Sequence, residues 1–232
     1  MRNSKFLLFL IALPPLLYLG LTQNKNSGLK ENGLNTPTLM MISMACFAAI
    51  GSAMYATGPE LSAERVNGWI RQVWVTPLSL RSWTGAKLVQ AAMLVVPGTV
   101  VVELVAAYAR NVHITPAHGV AIVVVMVLGS IPFAFFGHII GQLLNDRAAT
   151  VGQLFVLMVL SFLGGVFTPM SLLPKAIQTI GKFAPAYHLV QLNEELIKNQ
   201  SLQLVHVLVL AAWAVGVGVV TMTLWRRDGA VG

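Results

Sequence analysis

Val120 to Leu144 reads VAIVVVMVLGSIPFAFFGHIIGQLL, 25 residues without one Lys, Arg, Asp or Glu. A helix needs about 20 apolar residues, roughly 17–25, to cross the hydrocarbon core of a bilayer, so this stretch predicts a membrane span. The pattern recurs on both sides of it. Phe6 to Leu21, Thr38 to Ala56, Leu88 to Tyr108, Ala148 to Phe167 and Leu204 to Trp225 meet or approach the same length. Six spans follow, in an all-α, polytopic membrane fold with one transmembrane domain over residues 1–232. Composition agrees: 56% of the residues are hydrophobic, 10% are charged and the mean hydropathy is +0.74, against roughly 25% charged residues in soluble domains. Pro14-Pro15 predicts a kink, or a helix broken near one surface, in the first span.

Met1 to Lys5 followed by an apolar run has the outline of a signal peptide. No small-x-small cleavage site follows, and Gln23 to Asn26 lead on to five more apolar runs, so an uncleaved first span is expected. Lys+Arg number 15 against 8 Asp+Glu, but they lie in short loops and form no basic stripe, which argues against a nucleic-acid partner. Cys46, alone in an apolar run, has no partner for an intrachain disulfide and reads as a small core residue. An even number of spans puts both termini on one side. One set of connections holds nine basic residues (Arg2, Lys5, Arg65, Arg71, Arg81, Lys87, Arg147, Arg226, Arg227) and the other six (Lys25, Lys30, Arg110, Lys175, Lys182, Lys198). The richer set should be cytoplasmic, with both termini.

Two connections are long enough to hold structure. Between Gly58 and Lys87, Val66, Trp69, Ile70, Val73 and Trp74 share one face at helical spacing, with Glu64, Arg65, Asn67, Arg71 and Gln72 elsewhere. This predicts an amphipathic helix ending at Thr76-Pro77, either an interfacial anchor or a helix presented to a cytoplasmic partner. Between Thr168 and Gln203, Leu173, Ile177, Ile180 and Phe183 predict a short apolar face among Pro169, Pro174 and Pro185, as in a re-entrant or interfacial helix on the outer side. Glu194, Glu195 and Lys198 then mark a polar approach to the last span.

The string Glu64-Arg65-Val66-Asn67-Gly68-Trp69-Ile70-Arg71, running to Thr76-Pro77-Leu78-Ser79, resembles the internal loop between spans two and three of the type-two ABC export permeases. Gly164 to Pro174, followed by Pro185-Ala186-Tyr187-His188, resembles the segment after span five of the same family. The resemblance implies a permease that dimerises with a second copy in the cell membrane and docks cytoplasmic ATP-binding-cassette subunits, which would hold the ATP and magnesium. It assigns Glu64, Arg65, Gly68, Trp69, Arg71, Thr76 and Pro77 to the ATPase-coupling region. It assigns Phe167, Thr168, Pro169, Pro174, Tyr187 and His188 to a cap over the exit. Many members carry an amphipathic helix before span one, whereas only five residues precede Phe6 here.

Catalytic chemistry is not expected in this chain. An ATPase needs a G-x-x-x-x-G-K-[ST] loop, and the Gly181-Lys182 pair is followed by Phe183. H-E-x-x-H and G-x-S-x-G are missing, and His113, His118, His138, His188 and His206 have no metal-ligand spacing. Glu103 is the one acidic residue well inside a span, a position that costs at least about 2.5 kcal/mol and marks a candidate pathway residue. The competing account is a structural hydrogen bond to a neighbouring span, or a position shallow enough to reach the outer headgroups, since Arg110 is seven residues on. Gly129, Gly137 and Gly141 share a face of span four and suit either packing within the chain or a dimer contact. An ion-coupled transporter or channel is the alternative reading, with Glu103, His138 and His206 as its candidate residues; a membrane sensor is a third.

Overall fold

The computed structural model describes residues 4–23, 30–31, 33–70, 80–168, 170 and 173–229. In chain order these form α1 (Ser4–Leu21), α2 (Thr36–Thr57), α3 (Pro59–Val66), α4 (Leu80–Arg110), α5 (Pro116–Gly129), α6 (Ile131–Leu143), α7 (Asp146–Leu163), α8 (Lys175–Gly181), α9 (Pro185–Ile197) and α10 (Leu204–Gly229). A small antiparallel hairpin, β1 (Lys30–Glu31) with β2 (Leu34–Asn35), precedes α2. Its turn uses Gly33 at φ +82°.

Four helical stretches among the described residues are long and apolar enough to cross a bilayer: Thr36–Val66, Ser82–Arg110, Pro116–Leu143 and Leu204–Trp225. Leu10–Leu21 and Arg147–Leu163 are apolar but shorter. The protein is therefore a polytopic, all-α membrane protein.

α2 is the axis of the bundle. Its most apolar window is 94% buried, and it packs against α1, α4, α6, α7 and α9. Its sequence explains why: small Ala, Gly and Ser residues alternate with Met around the whole circumference, so no face is reserved for lipid. α10 is the converse, with 22% of its window buried, chiefly against α6 and α9.

The paired prolines do not break α1, which runs through Pro14 and Pro15; neighbouring helices make Pro tolerable in membrane helices. Span four is interrupted instead. Its two halves, α5 and α6, meet at Ser130, because Pro132 in the first turn of α6 has no N–H to continue the ladder.

The contact between α2 and α6 is backbone against backbone. A Cβ on Gly137 would lie 2.5 Å from the Met54 carbonyl oxygen, and one on Gly141 would collide with the Gly58 carbonyl oxygen at the end of α2. The Thr57 hydroxyl donates across the same seam to the Ala134 carbonyl at 2.6 Å. The small-residue face of span four thus serves packing within the chain.

One expectation is corrected in part. The amphipathic helix is not continuous with Glu64: α3 ends at Val66, Gly68 turns left-handed at φ +72°, and Trp69 and Ile70 are helical again. Asn67-Gly68 is turn chemistry, and it outweighs the apolar spacing across it. Val66 and Trp69 are exposed, and Val73 and Trp74 lie outside the described residues. In the second connection α8 is a short helix with Ile180 exposed on it and Phe183 exposed just beyond it, as a helix lying on a surface would present them. The buried element is α9, which packs against α2, α5, α7 and α10. Leu189, buried on α9, fills the notch left by Gly129, where a Cβ would collide with its side chain.

Candidate functional site

α3 is bolted to the spans around it. Pro59 starts the helix and Leu61 and Ser62 turn inward. Glu60 and Glu64, one turn apart, face Lys87 and Gln90 on α4. The Lys87 ammonium donates to Glu64 Oε1 at 2.5 Å, and Gln90 Nε2 donates to the Glu60 carboxylate. On the other side the Ser62 hydroxyl donates to the Leu144 carbonyl at 3.0 Å. Arg65 donates to the carbonyls of Gly141, at 3.2 Å, and Gln142. Those carbonyls belong to the last turn of α6, which has no partners within its own helix, and a cation suits the negative end of the helix dipole.

Beneath these polar contacts Leu61, Trp83 and Trp225 form a small apolar core, with Ile70 packed on it. The two indoles meet at 4.9 Å, and Lys87 lies 5.6 Å above the Trp83 ring. One short helix is thus joined to α4, α6 and the far end of α10.

Of the residues assigned to coupling, Glu64 and Arg65 are in this network, Gly68 makes the turn after it and Trp69 is exposed. Arg71, Thr76 and Pro77 lie outside the described residues. Sequence reasoning did not single out Glu60, Ser62, Gln90 and Trp83. A signal existed: Glu60 and Glu64 at i, i+4, and Lys87 and Gln90 at i, i+3, each define one helix face.

At the opposite end α9 carries a chain of polar contacts. His188 Nε2 meets the Lys182 carbonyl at 2.8 Å, and the two Nδ1 atoms of His188 and His206 are 2.7 Å apart. His206 Nε2 lies 3.3 Å from Glu195, whose other oxygen accepts the Gln203 N–H at 2.9 Å. With His188 Nε2–H donating to Lys182, its Nδ1 accepts the His206 Nδ1–H. His206 can then also donate to Glu195 only when it carries a second proton. Burial holds the His188 imidazole below its ordinary pKa; the Lys182 carbonyl opposes this and the neighbouring His206 reinforces it. Tyr187 stacks edge-on to His188 at 5.3 Å. Burial, then the charges of Glu194 and Glu195, push its phenol up.

Tyr187 and His188 are therefore brought together, with Glu195 and His206 as members the sequence did not assign to the cap. Phe167 packs instead on Phe47 of α2, with ring centroids 5.2 Å apart. Thr168 is half-buried, Pro174 is exposed at the start of α8, and Pro169 lies outside the described residues.

Glu103 lines a cavity of about 430 Å³ between α4 and α5. Its Oε1 is buried without a hydrogen-bond partner, so the structural hydrogen bond to a neighbouring span is not made by that oxygen.

A bundle of apolar helices around an axial span, with a short polar helix clamped at one end, defines a polytopic membrane protein. Comparison with known proteins supplies the family. Residues 6–225 match the ABC-2 family transporter protein description, and the chain belongs to that family. It is 24% identical over 231 residues, covering 100% of this chain and 94% of the relative, to the Bacillus subtilis (strain 168) protein named "Putative transport permease YvfS". No solved structure matches it. ABC-2 membrane subunits are non-catalytic transport permeases, and the family implies an ATP-binding partner subunit.

Proposed function

We propose that this chain is the membrane-spanning permease of an ATP-driven exporter, a single domain over residues 1–232 that works as a homodimer with separate ATP-binding-cassette subunits. Six spans, counting the two shorter apolar helices, leave both termini cytoplasmic, as the distribution of basic residues favours. The α3 end then faces the ATPases and the α9 end faces outward, where Phe167, Thr168, Pro169, Pro174, Tyr187 and His188 cap the exit. ATP and magnesium are held by the partner.

The observation that carries this reading is the clamp on α3. Glu64–Lys87 and Glu60–Gln90 tie it to α4, while Ser62 and Arg65 tie it to the end of α6. A push on the segment that follows, through Gly68, Trp69, Arg71, Thr76 and Pro77, is delivered to three spans together. Closure of the ATPases would in this way switch the spans from inward-open to outward-open.

The test is a pull-down of tagged protein from mild detergent with an ATPase assay on the eluate, comparing wild type with Glu64→Ala/Arg71→Ala. A co-eluting ATPase that is lost or uncoupled in the variant is the expected result. A chain that elutes alone under conditions that preserve membrane complexes would sink the proposal.

A further inference from the structure

The cavity beside Glu103 has a wall chemistry that no part of the coupling reading uses. Val100, Leu104, Ala107, Ile114, Val120 and Val124 make its lining almost wholly apolar. Its volume, about 430 Å³, is within the range of cavities that hold small organic ligands. Besides the Glu103 carboxylate the one polar side chain in the lining is Thr115, whose hydroxyl is engaged with His118 Nδ1 at 2.7 Å.

Glu103 divides its carboxylate between two environments. Oε2 lies against Gly119, where a Cβ would come within 3.3 Å of it. Gly119 is in the first turn of α5, whose N-terminus favours a negative charge. Oε1 has no partner. The cation nearest in sequence, Arg110, lies seven residues on, about 10 Å along the helix. It is committed elsewhere, donating to Thr22 Oγ1 at 2.8 Å and to the Leu19 carbonyl at 3.1 Å, across on α1.

A carboxylate set in the wall of an apolar cleft, with one oxygen buried and unpartnered, asks for a cation that brings its own hydrocarbon. A hydrated metal ion would strip its water against aliphatic walls. A diacyl lipid would press a phosphate against the carboxylate. A lipophilic amine has neither defect: its ammonium donates to the carboxylate on the Oε2 side, next to Gly119, in a charge-assisted bond, and its chain covers the valine and leucine wall.

We propose that the cleft between α4 and α5 is a binding site for a lipophilic amine, seated with its ammonium on Glu103 and its hydrocarbon against Val100, Leu104 and Val124. Gly119 is the residue that leaves room for the head, so its replacement by a larger side chain closes the site.

The experiment is equilibrium binding of radiolabelled decylamine to the purified permease in phosphatidylcholine nanodiscs, read by scintillation proximity. No ATPase partner is present, so the result is independent of whether the coupling reading stands. Saturable binding is expected, displaced by unlabelled decylamine and at least about tenfold less well by decanol, since one charge-assisted bond separates them. Glu103→Gln and Gly119→Val should each weaken binding by about tenfold or more, both at wild-type elution volume. The comparison of decylamine with decanol on wild type needs no variant. Absence of saturable binding, equal displacement by decanol, or unchanged binding in Glu103→Gln would overturn the proposal. So would displacement by phosphatidylethanolamine in the disc, which would assign the site to lipid instead.

Discussion

Gly137→Ala tests the α2–α6 seam most directly. The added methyl would sit 2.5 Å from the Met54 carbonyl oxygen and 2.9 Å from its Cα, and closer still to Thr57 Oγ1. Carbon contacts settle near 3.5–4.0 Å, so the two backbones must part by about 1 Å. That separation carries the Thr57–Ala134 hydrogen bond, 2.6 Å in the wild type, beyond useful range. Overpacking costs about 1–3 kcal/mol and the lost bond about 0.5–1.5, together about 2–4 kcal/mol. In a chain of this size each kcal/mol moves Tm by roughly 2–4 °C, so a fall on the order of 5–15 °C is expected. The assay is already in the sequence: Cys46 is the only cysteine and is fully buried, so a thiol-reactive dye reports unfolding. Gly85→Ala is the control, because nothing lies within 4 Å of its would-be Cβ; its Tm should hold or rise slightly. If Gly137→Ala melts within about 2 °C of that control, the packing argument is wrong.

Three further results are expected. Lys87→Ala leaves Glu64 Oε1 without its ammonium in a half-buried site, and should cost about 1–3 kcal/mol while lowering stimulated ATPase activity in the assembled transporter; the charge swap Glu64→Lys/Lys87→Glu should recover part of both, and equal damage in swap and single variant would count against the pair. Leu189→Ala empties the notch at Gly129 and should destabilise by about 2–5 kcal/mol, measured by the same dye. The His188 pKa is depressed by folding, so the unfolded chain takes up its proton first as pH falls: stability conferred by the neutral ring is complete above about 6.5 and is lost as pH drops through the lowered value. Tm measured between pH 7.5 and 5 should fall in wild type and fall less in His188→Asn; identical slopes would remove His188 from the account.

Span positions were legible because the bilayer leaves the backbone little choice. With no water to bond to, each crossing segment must satisfy its own N–H and C=O groups as a helix, and its length shows as an uncharged run such as Val120 to Leu144. The same logic placed the two polar connections between the spans. Helix boundaries within those connections were less legible. Asn67-Gly68 broke a face that apolar spacing joined, and the α9 helix was hidden because its buried side carries Asn193, Glu194 and Glu195, which hydropathy counts as solvent-facing.

What tertiary structure decided is pairing. Glu64 meets Lys87 across 23 positions, Arg65 reaches the Gly141 carbonyl across 76, and His188 finds His206 across a turn and a change of helix. Each depends on the rotation and depth of one helix against another. Those are set by where small residues let backbones touch, as at Gly58, Gly137 and Gly141, and a hydropathy pattern carries no record of which neighbour a glycine faces. The unpartnered oxygen of Glu103 belongs to the same category. That the residue is acidic and inside a span is written in the sequence, but the cavity beside it is formed by residues of both α4 and α5 and exists only in the folded chain.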